Sequence, residues 1–529
     1  INMRLIHFCI STLMLIGLVS SKDTGRQFVT AFLENLAYYY PSPPNNQLII
    51  TAIQPQTQVN VTTANGSFSD TYVLTAYETK AVALPPSVEL QRSTVSFRTV
   101  YVSSDQDVAV LSVSSKASST GTSVVYPVER LGRKYHIAAP PNTNSLMPFQ
   151  FVIVNTGENN TVTVSQGANT MTWNLEPFQN LHLYNVPWVT AVVMAYKPVA
   201  VLFGDSCANV SMCNCSIVFE QLPSVNNWGT NFIVPTLPDV SGADSFLLLE
   251  TSQADQRILS SFPVSSGQTA LSAYPSVDPY ILSPVPMSAV ILGPGLLMNL
   301  LPKENWAANF LLNPVVGFSN YALLVAKTTD TDKVMVGANP ANVQWTQVMQ
   351  TEFSQANVLL GQQPGQQIIW HPTSTIAVYH FGVGSSSVPS FGTPAIAVKD
   401  IPGIPFCYAK SINDYRKWTD ALQYCESSGG ELLSISSLEM ESWVKTKIIN
   451  SGRTDSMWIG LRQSTSSGDW YWLNKDPMYF SRWVNGEPGN NFYRMCATMS
   501  LVQQNQFEWR SDNCCTPQAF ICYFWGTQF

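Results

Sequence analysis

Five of the chain's ten cysteines lie between residues 425 and 522, and this cluster constrains the fold more than any other feature of the sequence. The same stretch contains further motifs, in the order Trp458-Ile-Gly-Leu461, Glu487-Pro488, Cys496, Trp509 and Cys514-Cys515. Apolar residues between Trp418 and Cys425 recur on one helical face. Ser436-x-x-Glu439 is a capping-box pattern that predicts the start of a second helix. The C-terminal region therefore predicts helices combined with strands.

In order and spacing, these residues resemble a C-type lectin-like domain over residues 404–529. The resemblance implies an α+β fold in which a long disulfide ties the first helix to the last strand. Here that bridge would join Cys425 to Cys522, and a short bridge would join Cys496 to either Cys514 or Cys515. In this family the Trp-Ile-Gly-Leu motif is a core strand whose glycine lets the backbone pack closely.

Sugar-binding members of this family use a calcium ion, which needs about six to eight oxygen ligands. The family takes them from Glu-Pro-Asn, from an acidic residue two positions before the third cysteine, and from Trp-Asn-Asp. In this chain those positions, apart from the first glutamate, hold Gly489, Arg494, Arg510 and Ser511. Since Glu487 alone stays in register, the resemblance implies that calcium binds weakly or not at all.

A one-residue shift of the loops would offer Glu487, Asn490, Asp512 and Asn513 as a weak calcium site, and this alternative stays open. The candidate ligand-binding residues are Glu487, Asn490, Asn491, Asp512, Asn513 and Trp483. No other cofactor is expected.

Aromatic residues crowd the segment where the family places its long binding loop. They are Trp470, Tyr471, Trp472, Tyr479, Trp483, Phe492 and Tyr493. Aromatic rings stack on sugars and also anchor protein interfaces. Trp470 and Trp472 alternate as on a strand, which also favours a core position for one of them. For any single ring, a sugar contact, a protein contact and core packing are equally good interpretations.

Residues 25–385 predict strands almost throughout, because short β-branched and aromatic runs alternate with Pro, Gly, Asn and Ser. A degenerate repeat runs through them. Each copy opens with a signpost, in which an aromatic residue stands four positions after a bulky one and a proline follows, and an apolar strand is expected after it. The clear signposts begin at Leu131, Trp228 and Trp306, which are 97 residues apart (131 to 228) and 78 residues apart (228 to 306), and an earlier copy begins at Gly25. Each copy would hold about six to eight strands, which suits either a small sandwich or two propeller blades.

This region, roughly residues 25–385, resembles the N-terminal domain of the IgGFc-binding protein family. The residues that carry the resemblance are Phe203-Gly-Asp-Ser-Cys207, Cys213-x-Cys215, Glu220-Gln-Leu-Pro223, Trp228-Gly229 and Gly25-Arg-Gln-Phe-Val29. The resemblance implies a secreted module associated with mucus or defence, without known catalytic chemistry. No residue of the match can be assigned to immunoglobulin binding.

The sequence thus predicts a multidomain chain: a signal peptide at 1–21, an all-β repeat region at 22–385, a linker at 386–403 and the lectin-like domain at 404–529. Met3-Arg4 and the apolar run from Leu5 to Val19 indicate the signal peptide. Residues 382–405 are rich in Ser, Gly and Pro, which indicates the linker. No further run is apolar enough to predict a membrane span.

The remaining cysteines and the glycosylation sequons favour an extracellular protein. Removing Cys9 with the signal peptide leaves nine cysteines, so at least one is free or pairs between chains. The sequence leaves open how Cys207, Cys213, Cys215 and Cys407 pair. Five Asn-x-Ser/Thr sequons predict glycosylation at Asn60, Asn65, Asn159, Asn209 and Asn214.

Composition and motifs argue against nucleic acid binding and catalysis. The net charge is −7 and no basic run is present. Gly204-Asp-Ser206 is similar to a hydrolase serine motif but lacks its partners, and the histidines lack zinc spacing. We therefore expect a secreted, non-enzymatic glycoprotein that recognises microbial or mucin glycans or glycoproteins in innate defence. The alternative is an adhesive matrix protein whose lectin-like domain binds proteins.

Overall fold

The computed structural model describes most of the chain from residue 23 to residue 525. The residues outside it are 1–22, 37–42, 55, 76, 93, 117–118, 139–148, 185–189, 212–213, 239–244, 252–255, 258–262, 265–268, 275–278, 294, 338, 349–350, 361–365, 385–389, 400–406, 428–429, 439, 442–443, 445–455, 475–477, 490–492, 502–506 and 526–529.

Residues 25–399 form four successive β units. Unit 1 contains β1 (Gly25–Thr30), β2 (Asn45–Ala52), β3 (Thr57–Thr63), β4 (Ser69–Leu74), β5 (Thr79–Ala83), β6 (Thr94–Ser96), β7 (Val100–Lys116) and β8 (Ser119–Val124). Unit 2 contains β9 (Gly132–Ala138), β10 (Phe149–Asn155), β11 (Asn160–Gln166), β12 (Asn169–Leu175), β13 (Asn180–Tyr184), β14 (Thr190–Ser211) and β15 (Asn214–Gln221). Unit 3 contains β16 (Gly229–Ile233), β17 (Ser245–Thr251), β18 (Gln256–Arg257), β19 (Pro263–Val264), β20 (Thr269–Tyr274), β21 (Tyr280–Gly293) and β22 (Leu296–Asn299). Unit 4 contains β23 (Asn309–Leu312), β24 (Ser319–Lys327), β25 (Met335–Val336), β26 (Asn339–Pro340), β27 (Thr346–Gln347), β28 (Phe353–Leu359), β29 (Gln367–Trp370), β30 (Ala377–Val383), β31 (Phe391–Pro394) and β32 (Ile396–Lys399).

In units 1 to 3 a long strand organises the packing. In unit 1 the first half of β7 pairs with β1 and β3, and its second half pairs with β2 and β8. β14 and β21 have the equivalent place in units 2 and 3, and the shorter β30 pairs with β24 and β31 in unit 4. Alternate valines of β7, such as Val108 and Val110, are fully buried. The sequence repeat is thus a repeat of structure, and the apolar strand after each signpost is present as β2, β10, β17 and β24.

One strand near the end of each unit, the last in units 1 to 3 and the second-to-last in unit 4, contacts the next in a closed ring. β8 contacts β15, β15 contacts β22, β22 contacts β31, and β31 contacts β8. The ring is also closed at its N-terminal end, where the Asp23 backbone N–H donates to the Ala397 carbonyl at 2.9 Å. The Ala397 N–H in turn donates to the Asp23 carboxylate at 2.8 Å. Two residues 374 positions apart therefore join unit 4 to the start of unit 1.

The expected linker at 386–403 is wrong over residues 391–399. β31 pairs with β30, and β32 pairs with β23. Phe391, Ile396 and Val398 are each 2% exposed. The Ser, Gly and Pro residues around them suggested a flexible linker, but Phe391 packs on Phe318 of unit 4. Ile396 and Val398 belong to a buried cluster that contains Leu111 of unit 1 as well as residues of unit 4.

The C-terminal domain is a sheet with the helix α1 (Trp418–Ser427) packed against it, and a second helix after Ser437 is described only in part. Its elements are β33 (Cys407–Arg416), α1 (Trp418–Ser427), β34 (Gly430–Leu432), β35 (Ser456–Gln463), β36 (Trp470–Trp472), β37 (Cys496–Ser500), β38 (Trp509–Asp512) and β39 (Gln518–Trp525). The sheet order is β33-β39-β35-β37-β38, with β34 on β39 and β36 on β35. A Cβ at Gly460 would come within 2.6 Å of the Leu432 carbonyl oxygen, which explains the glycine of the core strand.

Both disulfides implied by the resemblance are present. Cys425 of α1 is bonded to Cys522 of β39, with their Cα atoms 5.5 Å apart. Cys496 is bonded to Cys514, with a Cα separation of 5.2 Å. Cys515 is the exposed free cysteine among the residues that the structure describes. Cys207 is disulfide-bonded.

The second helix begins one residue later than its capping pattern predicts. The Ser437 hydroxyl, rather than that of Ser436, accepts the Met440 N–H at 3.1 Å. Leu438 is 59% exposed, whereas Met440 and Val444 are buried. The first apolar residue of the run therefore points to solvent and the following ones reach the core.

Candidate functional site

Glu487 lies at the centre of the predicted binding region, between the loop that contains it and β38. Its Oε2 accepts hydrogen bonds from the Ser511 hydroxyl at 2.5 Å and from the backbone N–H groups of Gly489 and Ser511, both at 3.2 Å. The Arg494 guanidinium lies 3.1 Å from Oε1. The Glu487–Pro488 peptide bond is cis. Three neighbours thus satisfy a carboxylate that is only 14% exposed.

These contacts keep Glu487 ionised. Burial alone would raise the pKa of its carboxyl, but the hydrogen bonds from Ser511 and Gly489 and the charge of Arg494 lower that pKa below its usual value. Arg494 supplies a positive charge at the position where the lectin pattern has an acidic calcium ligand. The carboxylate is therefore neutralised by the protein itself.

Asp512 and Asn513 are not turned toward Glu487. Side chains alternate along a strand, so Asp512 points away from the face on which Ser511 meets Glu487. Its Oδ2 accepts a hydrogen bond from Gln518 at 2.6 Å and its Oδ1 accepts the Asn513 N–H at 2.6 Å. The Asn513 side chain accepts the Cys515 N–H at 3.0 Å, which closes a local turn. Asn490 and Asn491 lie outside the described residues.

The described residues at this site do not fit a calcium ion of the kind the family uses. Each oxygen of Glu487 already has partners within the protein, and a cation lies against Oε1. In the part of the chain that the structure describes, no three His, Cys, Asp or Glu side chains are grouped to hold a metal ion. Of the shifted set, Asp512 and Asn513 are tied into the turn that precedes β39 and are not turned toward Glu487, while Asn490 lies outside the described residues.

The tryptophans of this region form core contacts. Trp472 and Trp509 are fully buried, with ring centroids 5.2 Å apart. Trp483 packs between Trp470, at 4.7 Å, and Trp509, at 5.7 Å. The candidate ligand contact Trp483 is therefore a partly buried residue that packs against two other tryptophans.

Exposed aromatic surface comes instead from tyrosines. Tyr479 is 92% exposed, Tyr493 is 81% exposed and Tyr471 is 41% exposed. The sequence alone did not show that these tyrosines are exposed and the tryptophans buried, because both residue types are common in cores and at interfaces.

Sequence reasoning also missed what Arg494 and Ser511 do at this site. Their alignment with the lectin family's motif showed only that they stand at positions where the family has calcium ligands. Their direct contacts with Glu487 depend on how the loop folds back onto β38, which no local pattern reveals.

The structure describes three of the five predicted glycosylation sites. Asn65 and Asn159 are exposed, and Asn60 is half-buried with its Oδ1 accepting the Thr71 hydroxyl at 2.8 Å. The side chains of Asn209 and Asn214 and the predicted signal peptide at 1–21 lie outside the described residues. Among the residues described, no helix has the length and apolar character that crossing a membrane requires.

Comparison with known proteins finds two families along the chain. The Lectin C-type domain model matches residues 414–524, and the model described as IgGFc binding protein matches residues 121–382. The C-type lectin lectoxin-Phi1 of Philodryas olfersii is 31% identical over 121 residues, which are 22% of this chain and 76% of that protein. The solved structure of human lithostathine covers 22% of this chain and 89% of its own, at 24% identity and a TM-score of 0.21.

The human IgGFc-binding protein is 27% identical over 376 residues, or 65% of this chain. The match spans only 7% of that human protein's length. The chain belongs to the C-type lectin family through its C-terminal domain, which follows a region that matches the IgGFc binding protein model.

Proposed function

We propose that this chain is a secreted glycoprotein whose lectin-like domain recognises glycans, on microbes or on mucins, without a calcium ion at Glu487. The observation that carries the proposal is the closed environment of Glu487. Ser511 and Gly489 donate hydrogen bonds to its carboxylate, and Arg494 supplies the positive charge that a calcium ion would otherwise supply. The lectin family match supports recognition as the role of the domain.

Secretion is supported by the two disulfides of the lectin-like domain, since disulfides persist in oxidising compartments. The exposed sequons at Asn65 and Asn159 support glycosylation. The proposal assigns the chain no catalytic activity. Ser206 of the serine motif is fully buried in β14, out of reach of a substrate.

A glycan array probed with the full chain tests this function, once in calcium and once in a calcium chelator. We expect the same glycans to be bound in both. The proposal fails if binding disappears in the chelator, or if no glycan is bound in either condition.

The second candidate is an adhesive or matrix protein that binds other proteins. The highly exposed Tyr479 and Tyr493 favour it, because exposed tyrosines are common anchors of protein interfaces. A silent array combined with binding to purified mucin stripped of its glycans would support this second function over the first.

A further inference from the structure

A groove lies beside α1, on residues that the Glu487 site does not use. Trp418, Ala421 and Cys425 place one face of the helix in the core. The opposite face carries Asp420, Gln423, Tyr424 and Ser427 at helical spacing, and these residues form one wall of the groove. Tyr424 is fixed by an edge contact with Phe520, with ring centroids 5.3 Å apart.

The other wall comes from the end of β33. The pairing register with β39 shifts between Ile412 and Arg416, so the residues between these two have no paired partner in β39. Asp414, Tyr415, Arg416 and Lys417 then line the groove together with Pro517. The Arg416 guanidinium stacks 4.7 Å above the Tyr424 ring, and Tyr415 is 58% exposed.

The size and charge of the groove select a ligand class. Its volume of about 630 Å³ lies within the range of about 300–1,000 Å³ typical of small-ligand sites. Asp414 and Asp420 balance Arg416 and Lys417, and the Asp414 carboxylate binds Arg416 Nη2 at 2.6 Å. An anionic ligand would meet two carboxylates, and a cationic one would meet two cations. The balance therefore favours a ligand without net charge.

The polar groups of the groove suit a ligand rich in hydroxyl groups. The carboxylate of Asp420 accepts hydrogen bonds, the amide of Gln423 both donates and accepts them, and the ammonium of Lys417 donates them. The Tyr415 ring supplies an apolar face against which the C–H surface of a sugar ring can pack. We infer that this groove binds a neutral glycan, as a calcium-independent site separate from Glu487. This inference rests on the proposed glycan recognition.

The test uses the full chain in a calcium chelator. Chitotetraose, cellotetraose, mannotetraose and lacto-N-tetraose serve as neutral probes, and a heparin tetrasaccharide and 3′-sialyllactose as anionic ones. Tyr415→Ala removes the stacking ring and Asp420→Asn removes an acceptor charge without changing side-chain size. Tyr196→Ala is the matched control, since Tyr196 is 77% exposed on β14 of unit 2.

We expect the unaltered chain to bind at least one neutral probe. Each groove variant should weaken that binding about tenfold, which corresponds to about 1.4 kcal/mol, and Tyr196→Ala should leave it unchanged. Neutral binding that both groove variants leave intact would overturn the groove assignment while the proposed function stands. Binding to the anionic probes alone would also overturn the assignment. Binding to none of the probes would overturn both.

Discussion

Arg494 and Ser511 stand at two positions of the lectin family's calcium-ligand pattern, and both contact Glu487. The serine hydroxyl donates to the Glu487 carboxylate, and the Arg494 guanidinium places a positive charge beside it. Sequence register was sufficient to predict that the ligand set is incomplete. It could not predict that Glu487 is neutralised from within the protein, because that depends on side-chain contacts across a loop.

The pairing of Cys496 was open in the sequence, and the structure assigns it to Cys514. Cys515 should therefore be the residue of this pair that reacts with iodoacetamide in the native, unreduced protein, since it is free and exposed. Peptide mapping after alkylation checks this. Label on Cys514, with Cys515 bonded to Cys496, would show that the assignment is reversed.

At the scale of elements, strands that carry strong apolar patterns were predictable and short buried ones were not. β10 and β24 follow their signposts as expected. β31 and β32 are only four residues each and are bordered by Ser, Gly and Pro, so composition concealed them. Their burial against β30 and β23 comes from pairing with distant strands, which a local window does not detect.

Because β31 and β32 are buried, an N-terminal fragment must include them to fold. A fragment of residues 22–399 should fold as a β protein that resists limited proteolysis, because it keeps β31 and β32. A fragment of residues 22–385 should be unfolded or readily digested, since burying a single side chain such as Phe391 or Ile396 contributes about 1.5–3 kcal/mol. Circular dichroism and digestion of both fragments provide the measurement. Equal resistance of the two would contradict the role given to these strands.

A buried carboxyl between units 1 and 2 makes stability depend on pH. Glu89 accepts the Asn35 N–H at 3.3 Å, and the neighbouring Glu34 N–H donates to the side chain of Gln150 in unit 2 at 3.1 Å. Burial, with a further contribution from Glu34, raises the pKa of Glu89 to about 7 from 4.5. The folded chain thus holds this proton when the unfolded chain has released it. The stability contributed by Glu89 is therefore complete below about pH 4.5 and is lost as the pH rises to about 7.

Glu89→Gln keeps the shape and the acceptor oxygen but removes the titration. Relative to the unaltered chain, the variant should gain stability between pH 4.5 and pH 7, by an amount on the order of 3 kcal/mol. Urea unfolding of both proteins at pH 4.5, 6 and 8 measures the difference. Stability curves that stay parallel across this range would exclude Glu89 as the titrating group.

At the scale of the whole molecule, four β units close into a ring and are followed by a lectin-like domain. The ring brings Ser123 of unit 1, Glu220 of unit 2 and Thr393 of unit 4 together, with Ser123 donating to the Glu220 carboxylate at 2.9 Å. Glu220 is fully enclosed, and burial raises the pKa of its carboxyl well above the usual value. The sequence predicted the repeated units but not that they close into a ring. The contacts that close the ring join residues that lie nearly 100 positions apart or more in the sequence, as Ser123 and Glu220 do.

Calcium binding by the full chain tests the central claim most directly, since it asks whether the Glu487 site of the lectin-like domain binds the ion. Isothermal calorimetry should give no saturable calcium binding that depends on Glu487. A variant with Gly489→Asn, Arg494→Glu, Arg510→Asn and Ser511→Asp restores the family's ligand pattern, and it should gain such binding. Saturable calcium binding by the unaltered chain that Glu487→Gln abolishes would contradict the account.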